Sequence, residues 1–148
     1  MSELLAGATL KNQQGLELNA AEHLRGKVVG LYFSASWCPP CRAFTPKLKR
    51  FFEKIRSNHP EFEVIFVSSD RSSENLVAYF KDHHGDWTFI PYGRGEIKPL
   101  KQKYEVNGIP TMRITRANGD VVIWDARGDI TNKGEDAESL WKEWMSKF

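Results

Sequence analysis

The chain holds two cysteines, and they stand two residues apart in Trp37-Cys38-Pro39-Pro40-Cys41. That spacing suits thiol–disulfide exchange. One thiolate attacks a disulfide sulfur, and a second thiol close by attacks the mixed disulfide to expel the product. The chemistry needs an ionised sulfur, whereas a free thiol is mostly protonated near neutral pH. A cysteine at the start of a helix meets unpaired N–H groups and a partial positive charge, both of which favour the anion. Cys38 is therefore expected to be the exposed nucleophile. Cys41, three positions on and on nearly the same helical face, is expected to be the resolving thiol. Pro39 and Pro40 suit a first helical turn, where their missing N–H groups cost least. They stiffen the loop and leave the Cys41 N–H to meet the Cys38 sulfur.

A bridge between these residues closes too small a loop to add much stability. In a reducing compartment such a pair is more often catalytic or metal-binding than structural. Zinc takes four ligands, and no second cysteine pair is present. His83 and His84 could complete a set in principle, but they read better as solvated residues at a helix end. Neither a metal nor a cofactor is expected beyond the redox-active disulfide itself. Trp37 could be a core aromatic, but beside the nucleophile it reads better as an exposed apolar platform for a partner. Arg42 reads as a solvated helix charge.

The other informative tripeptide is Ile109-Pro110-Thr111, after Gly108. An ordinary trans proline at a strand edge is the plain alternative. A cis Pro110 would turn the Ile109 backbone outward and leave its N–H and C=O to pair with an extended substrate segment. The candidate substrate-binding residues are thus Trp37, Ile109 and Pro110.

These residues need a frame. Ala8–Leu18 reads as a hairpin turning at Asn12-Gln13-Gln14-Gly15, and Ala20–Leu24 as one helical turn capped by Asn19 and broken by Gly26. Lys27–Ser34 and Phe62–Ser68 are apolar runs rich in β-formers, as in strands buried on both faces. Phe44, Leu48, Phe51, Phe52 and Ile55 recur at helical spacing, so a helix is expected over Cys38–Ser57, kinked at Pro46. Asp70 or Ser72 should cap a further helix containing Leu76, Val77, Tyr79 and Phe80. Pro99–Tyr104 suggests a short helix. Thr111–Arg116 and Asp120–Asp125 should pair through Ala117-Asn118-Gly119. Asp136–Phe148 should be a helix burying Leu140, Trp141 and Trp144. Strands joined by helices should be parallel, and the final pair antiparallel. The expected class is α/β: a mixed central sheet with helices on both faces and an N-terminal β-hairpin extension.

The length of 148 residues suits a single domain, here residues 1–148, able to bury roughly 70% of its unfolded surface. Lys and Arg total 21 against 19 acidic residues, a balance that points to neither nucleic acid nor an anionic membrane as partner. No apolar run is long enough to span a bilayer, and Met1-Ser2-Glu3-Leu4-Leu5 lacks the features of a secretory leader. A cytoplasmic location is expected, with nuclear entry open, and nothing calls for more than a monomer.

The strand, the Trp-Cys-Pro-Pro-Cys stretch, the proline-containing helix and the distant Ile-Pro-Thr together resemble the thioredoxin superfamily. Phe33-Ser34-Ala35-Ser36-Trp37-Cys38-Pro39-Pro40-Cys41-Arg42-Ala43-Phe44-Thr45-Pro46 is similar to the tryparedoxin and nucleoredoxin branch. The likeness runs from about Gly7 to Asp129. It implies a thioredoxin fold, a cis Pro110 and a helix-kinking Pro46 behind the active site. Val64-Ile65-Phe66-Val67-Ser68-Ser69-Asp70-Arg71-Ser72 looks more like nucleoredoxin, since tryparedoxins tend to carry Trp at the position of Ser69 and an acidic residue at that of Arg71. Ordinary thioredoxins place a buried Asp where this chain has Tyr32 and a Lys where it has Phe66. Tyr32, a water or a nearby carboxylate would then exchange the proton of Cys41.

Two functions follow from the motif and the resemblance. The first is an enzyme that reduces protein disulfides, with disulfide-containing proteins and a thiol reductant as partners. The alternative is a redox-sensing interaction module of nucleoredoxin type, whose thiol state regulates a signalling partner. A peroxidase of the Thr-x-x-Cys kind is not matched by Ser34-Ala35-Ser36-Trp37-Cys38.

Overall fold

The computed structural model describes residues 1–148. Two seven-residue strands, β3 (Val28–Ser34) and β4 (Phe62–Ser68), pair in parallel at the centre, with Phe33 beside Val67. Between them runs α2 (Pro39–Arg56), unbroken through Pro46. β6 (Thr111–Thr115) lies antiparallel on the other side of β3, and β7 (Val121–Ile123) antiparallel beyond it. The hairpin of β1 (Thr9–Lys11) and β2 (Glu17–Asn19) joins through a strand that sequence reading missed, β5 (Thr88–Phe89). Two residues carry no periodicity, so β5 exists only through its neighbours, β4 on one side and β1 on the other. The sheet order is β2-β1-β5-β4-β3-β6-β7.

Side chains alternate across the central strands, and each face carries its own core. Tyr32, Val64 and Phe66 face the core under α2, α3 (Ser73–His83), α5 (Ala126–Lys133) and α6 (Ala137–Met145). Leu31, Phe33, Ile65 and Val67 face the other core, with Leu100 of α4 (Ile97–Lys103) and Ala20 of α1 (Ala20–His23). The expected mixed sheet with helices on both faces is thus present. Caps are local: Asn19 accepts from the Glu22 N–H at 3.1 Å, and Ser72, rather than Asp70, accepts from that of Asn75 at 3.1 Å. α5 was not expected, because Gly128, Thr131 and Asn132 are poor helix formers. Asp125 caps it on the Gly128 N–H, and Ile130 buries against the core.

His84 departs from the sequence expectation. It is 2% exposed, not solvated, and its ring lies among Tyr32, Phe66, Tyr79, Phe80 and Trp87. Its Nδ1 accepts from the Trp87 indole at 3.1 Å, and its Nε2 has no hydrogen-bond partner. Burial first, then the charges of His83 and Lys49, hold its pKa well below the usual value. The sign of the effect on stability follows. The unfolded chain takes up a proton below about 6.5 and the folded chain does not, so this group's stabilisation is complete above that pH and is lost as pH falls. The slope is at most ~1.4 kcal/mol per pH unit. Between about pH 6.5 and 5, His84→Leu is expected to flatten the pH dependence of the urea-unfolding free energy. Equal slopes in both proteins would show that the folded imidazole titrates normally.

Candidate active site

Cys38 ends the loop after β3 and caps α2 with extended backbone angles, φ −100° and ψ 107°. Its sulfur accepts the Cys41 N–H at 3.3 Å. Pro39 and Pro40 fill the first positions of the helix, so the N–H of Cys41 is the first one left to aim at that sulfur. Cys38 and Cys41 are joined as a disulfide, with their Cα atoms 5.2 Å apart. The expected exposed nucleophile needs correction for this oxidised state. Cys38 is only 4% exposed, because its bridged sulfur lies against Ala35, Cys41 and Ile109, while Cys41 is fully buried. Of the two, Cys38 keeps the small remaining exposure.

The peptide bond between Ile109 and Pro110 is cis. The Ile109 carbonyl oxygen lies 3.7 Å from the Cys38 sulfur although 71 residues separate them in sequence. Sheet pairing explains the encounter: Phe33 at the end of β3 faces Thr111 at the start of β6. Neither the N–H nor the C=O of Ile109 makes a backbone hydrogen bond. On the other side stands Trp37, 48% exposed, its indole N–H donating to the Ser69 carbonyl at 3.0 Å and its ring face under the Arg71 guanidinium at 5.1 Å. The three candidate substrate-binding residues therefore border one disulfide.

Sequence reading missed Asp70 as a site residue. Its carboxylate accepts the Ser36 N–H at 2.8 Å, the Ser36 hydroxyl, and the Ser68 hydroxyl at 2.7 Å. It thereby ties the loop that presents Trp37 and Cys38 to the end of β4. No local pattern signals this, since Ser36 and Asp70 meet only because β3 and β4 run parallel. Arg42 also holds the loop, donating to the Ser36 carbonyl at 3.1 Å, and its second nitrogen meets His83 Nε2 at 3.1 Å. The two histidines thus engage Arg42 and Trp87, not the sulfurs.

Behind Cys41 lies a buried row of hydroxyls. Tyr32 meets Thr45 at 2.7 Å, Thr45 meets Tyr79 at 2.8 Å, and Tyr79 meets Ser34 at 2.9 Å. Thr45 and Tyr32 donate to the Cys41 carbonyl at 2.8 and 3.4 Å. Burial, with the neighbouring Tyr79, pushes the Tyr32 phenol well above its usual pKa, so it stays protonated at neutral pH. Tyr32 thus packs the start of the helix through a backbone oxygen and makes no hydrogen bond to the Cys41 sulfur.

A family model described as thioredoxin-like matches residues 26–121. Mouse nucleoredoxin is 38% identical over 141 residues, covering 94% of this chain and 31% of the relative. A probable nucleoredoxin of Arabidopsis thaliana is 38% identical over 125 residues, 84% of this chain and 21% of that protein. The chain thus spans a third or less of the length of these relatives. Among solved structures, a thioredoxin from Wuchereria bancrofti superposes with a TM-score of 0.83 at 44% identity, covering 94% of this chain and 96% of that one. Tryparedoxin I from Leishmania major gives 0.82 at 36% identity, with 94% of each chain covered.

Proposed function

Since the chain belongs to the thioredoxin-like family, on the nucleoredoxin and tryparedoxin side of it, we propose that it is a protein-disulfide reductase using Cys38 as nucleophile and Cys41 as resolving thiol. In the reduced protein the Cys38 thiolate attacks one sulfur of a substrate disulfide. A Cys38–substrate bond forms, the substrate S–S bond breaks, and the departing thiolate takes a proton from water. Cys41 then gives its proton to the hydroxide left by that step and attacks the Cys38 sulfur. The Cys38–Cys41 disulfide forms, the Cys38–substrate bond breaks, and the second substrate sulfur leaves as a thiolate that solvent protonates. Two electrons pass from the protein dithiol to the substrate, and an external thiol reductant restores the dithiol. No cofactor enters the cycle.

The observation that carries this reading is the setting of the Cys38 sulfur. It sits at the mouth of an 18-residue helix, accepts the Cys41 N–H and lies 3.7 Å from the unpaired Ile109 carbonyl. The first two features favour a thiolate. The third offers an edge on which an extended segment can lay its backbone while its disulfide meets Cys38. Trp37 supplies apolar area beside it. Disulfide-containing proteins and a thiol donor are the partners this surface suits, with the chain acting as a monomer. No helix is long and apolar enough to cross a membrane. A reducing compartment, the cytoplasm with access to the nucleus, suits a dithiol that must be regenerated.

The test is turbidimetric reduction of insulin with dithiothreitol as donor. The protein is expected to shorten the lag to precipitation in proportion to its concentration. A folded sample that leaves the lag at the donor-only value would refute the reading.

A further inference from the structure

Beyond Trp37, away from Ile109, the surface opens into a cleft of about 360 Å³ between the end of β4 and α4. Its wall carries Arg94, Lys98 and Lys101, and Arg71 stands at its edge over the Trp37 ring. None of these four cations forms an ion pair. The one carboxylate in the wall is that of Asp70, 8% exposed and already accepting hydrogen bonds from Ser36 and Ser68. Lys101 is half-buried, and its ammonium donates to the Ser69 hydroxyl. Desolvation pulls its pKa below the usual value, which marks a cation whose hydration is not fully replaced. The Ser69 that receives Lys101 also holds the Trp37 indole through its carbonyl, so cleft and platform share a wall.

We propose that this cleft is a specificity subsite for carboxylate side chains of the substrate peptide, placed a few residues from the cysteine that Cys38 attacks. The proposal rests on the disulfide-reductase reading and adds to it a substrate class: disulfides flanked by Asp or Glu. A segment lying along Ile109 and over the Cys38–Cys41 pair continues past Trp37 into the cleft. Trp37 precedes Cys38 in the chain, and its indole reaches the Ser69 carbonyl in the cleft wall, so the cleft begins one side chain away from the pair. Acidic side chains there meet Arg94, Lys98 and Lys101, with Arg71 beside them, none of them in an ion pair, while basic ones meet repulsion. Exposed charges of this kind act mainly on encounter and on salt dependence, leaving the chemical step alone.

The test uses the full chain with dithiothreitol as donor and three synthetic peptide disulfides identical except for flanking Asp, Lys or Ser residues. At low ionic strength kcat/KM for the Asp peptide is expected to exceed that for the Lys peptide about tenfold, mostly through KM, and the ratio should shrink at high salt. Lys98→Glu/Lys101→Glu should abolish or reverse the ratio of the Asp-peptide to the Lys-peptide rate. Arg94→Glu/Lys98→Glu, at two exposed positions, serves if the first variant does not fold. Equal rates for Asp and Lys peptides, or a preference surviving charge reversal, would overturn the subsite. Turnover of none of the three would instead strike the reductase reading. In that case, the Kd values of the same peptides with Ser in place of Cys still decide the subsite. Tighter binding of the acidic one, lost on charge reversal, supports it, and equal binding rejects it.

Discussion

Cys38→Ser should abolish insulin reduction, lowering kcat/KM by at least about a thousandfold with the fold intact. A serine hydroxyl at neutral pH offers almost no anion, and Cys41, the other thiol of the chain, is fully buried. Cys41→Ser separates the two proposed roles. Here attack by Cys38 proceeds but resolution does not, so a covalent adduct between Cys38 and the substrate should accumulate. Intact mass spectrometry before and after dithiothreitol would read it, as a mass increase that the reductant removes. The opposite pattern, adducts on Cys41 in Cys38→Ser, would reverse the assignment. It would also conflict with the geometry, since Cys41 is fully buried whereas Cys38 is the more exposed of the two.

Trp144→Ala should produce the largest loss of stability, about 3–5 kcal/mol, and lower the melting temperature by roughly 10 °C. Trp144 is fully buried, with its ring 5.2 Å from that of Phe51 on α2 and 6.4 Å from that of Phe62 on β4. Its indole N–H donates to Asp129 at 2.9 Å, which fastens α6 to α5. Truncation leaves a cavity among aromatic rings that cannot all close in, and an acceptor without its donor. Trp144→Phe keeps most of the apolar volume and should cost about half as much or less. Phe51 lies 13 positions beyond Cys38, roughly 20 Å along the helix axis. The specific activity of folded Trp144→Ala at low temperature should therefore match the wild type. Thermal and urea unfolding measure the first effect and the insulin assay the second. A change below about 1 kcal/mol would mean that α6 docks without this ring.

Some features of this protein were readable from the chain because they are local. Continuous apolar runs marked β3 and β4, and recurrence at three and four positions marked α2, because a strand or helix imposes its own period on whichever residues it buries. Asn118-Gly119 marked the β6–β7 hairpin, and the structure places Gly119 at φ +93° there. Trp37-Cys38-Pro39-Pro40-Cys41 marked the chemistry, since both sulfurs and both prolines act within a single turn. Other features had no local cause. β5 is two residues recruited between β4 and β1. His84 sits next to a polar helix end in sequence, yet Tyr32 of β3 and Phe66 of β4, far along the chain, close over it together with its near neighbours Tyr79, Phe80 and Trp87. Asp70 reaches Ser36, and Ile109 reaches Cys38, only after β4 and β6 have taken their places on either side of β3. The sequence by itself determined the identity of the reactive pair and the elements that bear it. Tertiary structure decided what surrounds that pair, because a contact between distant residues depends on sheet order and register, which no short window of residues encodes.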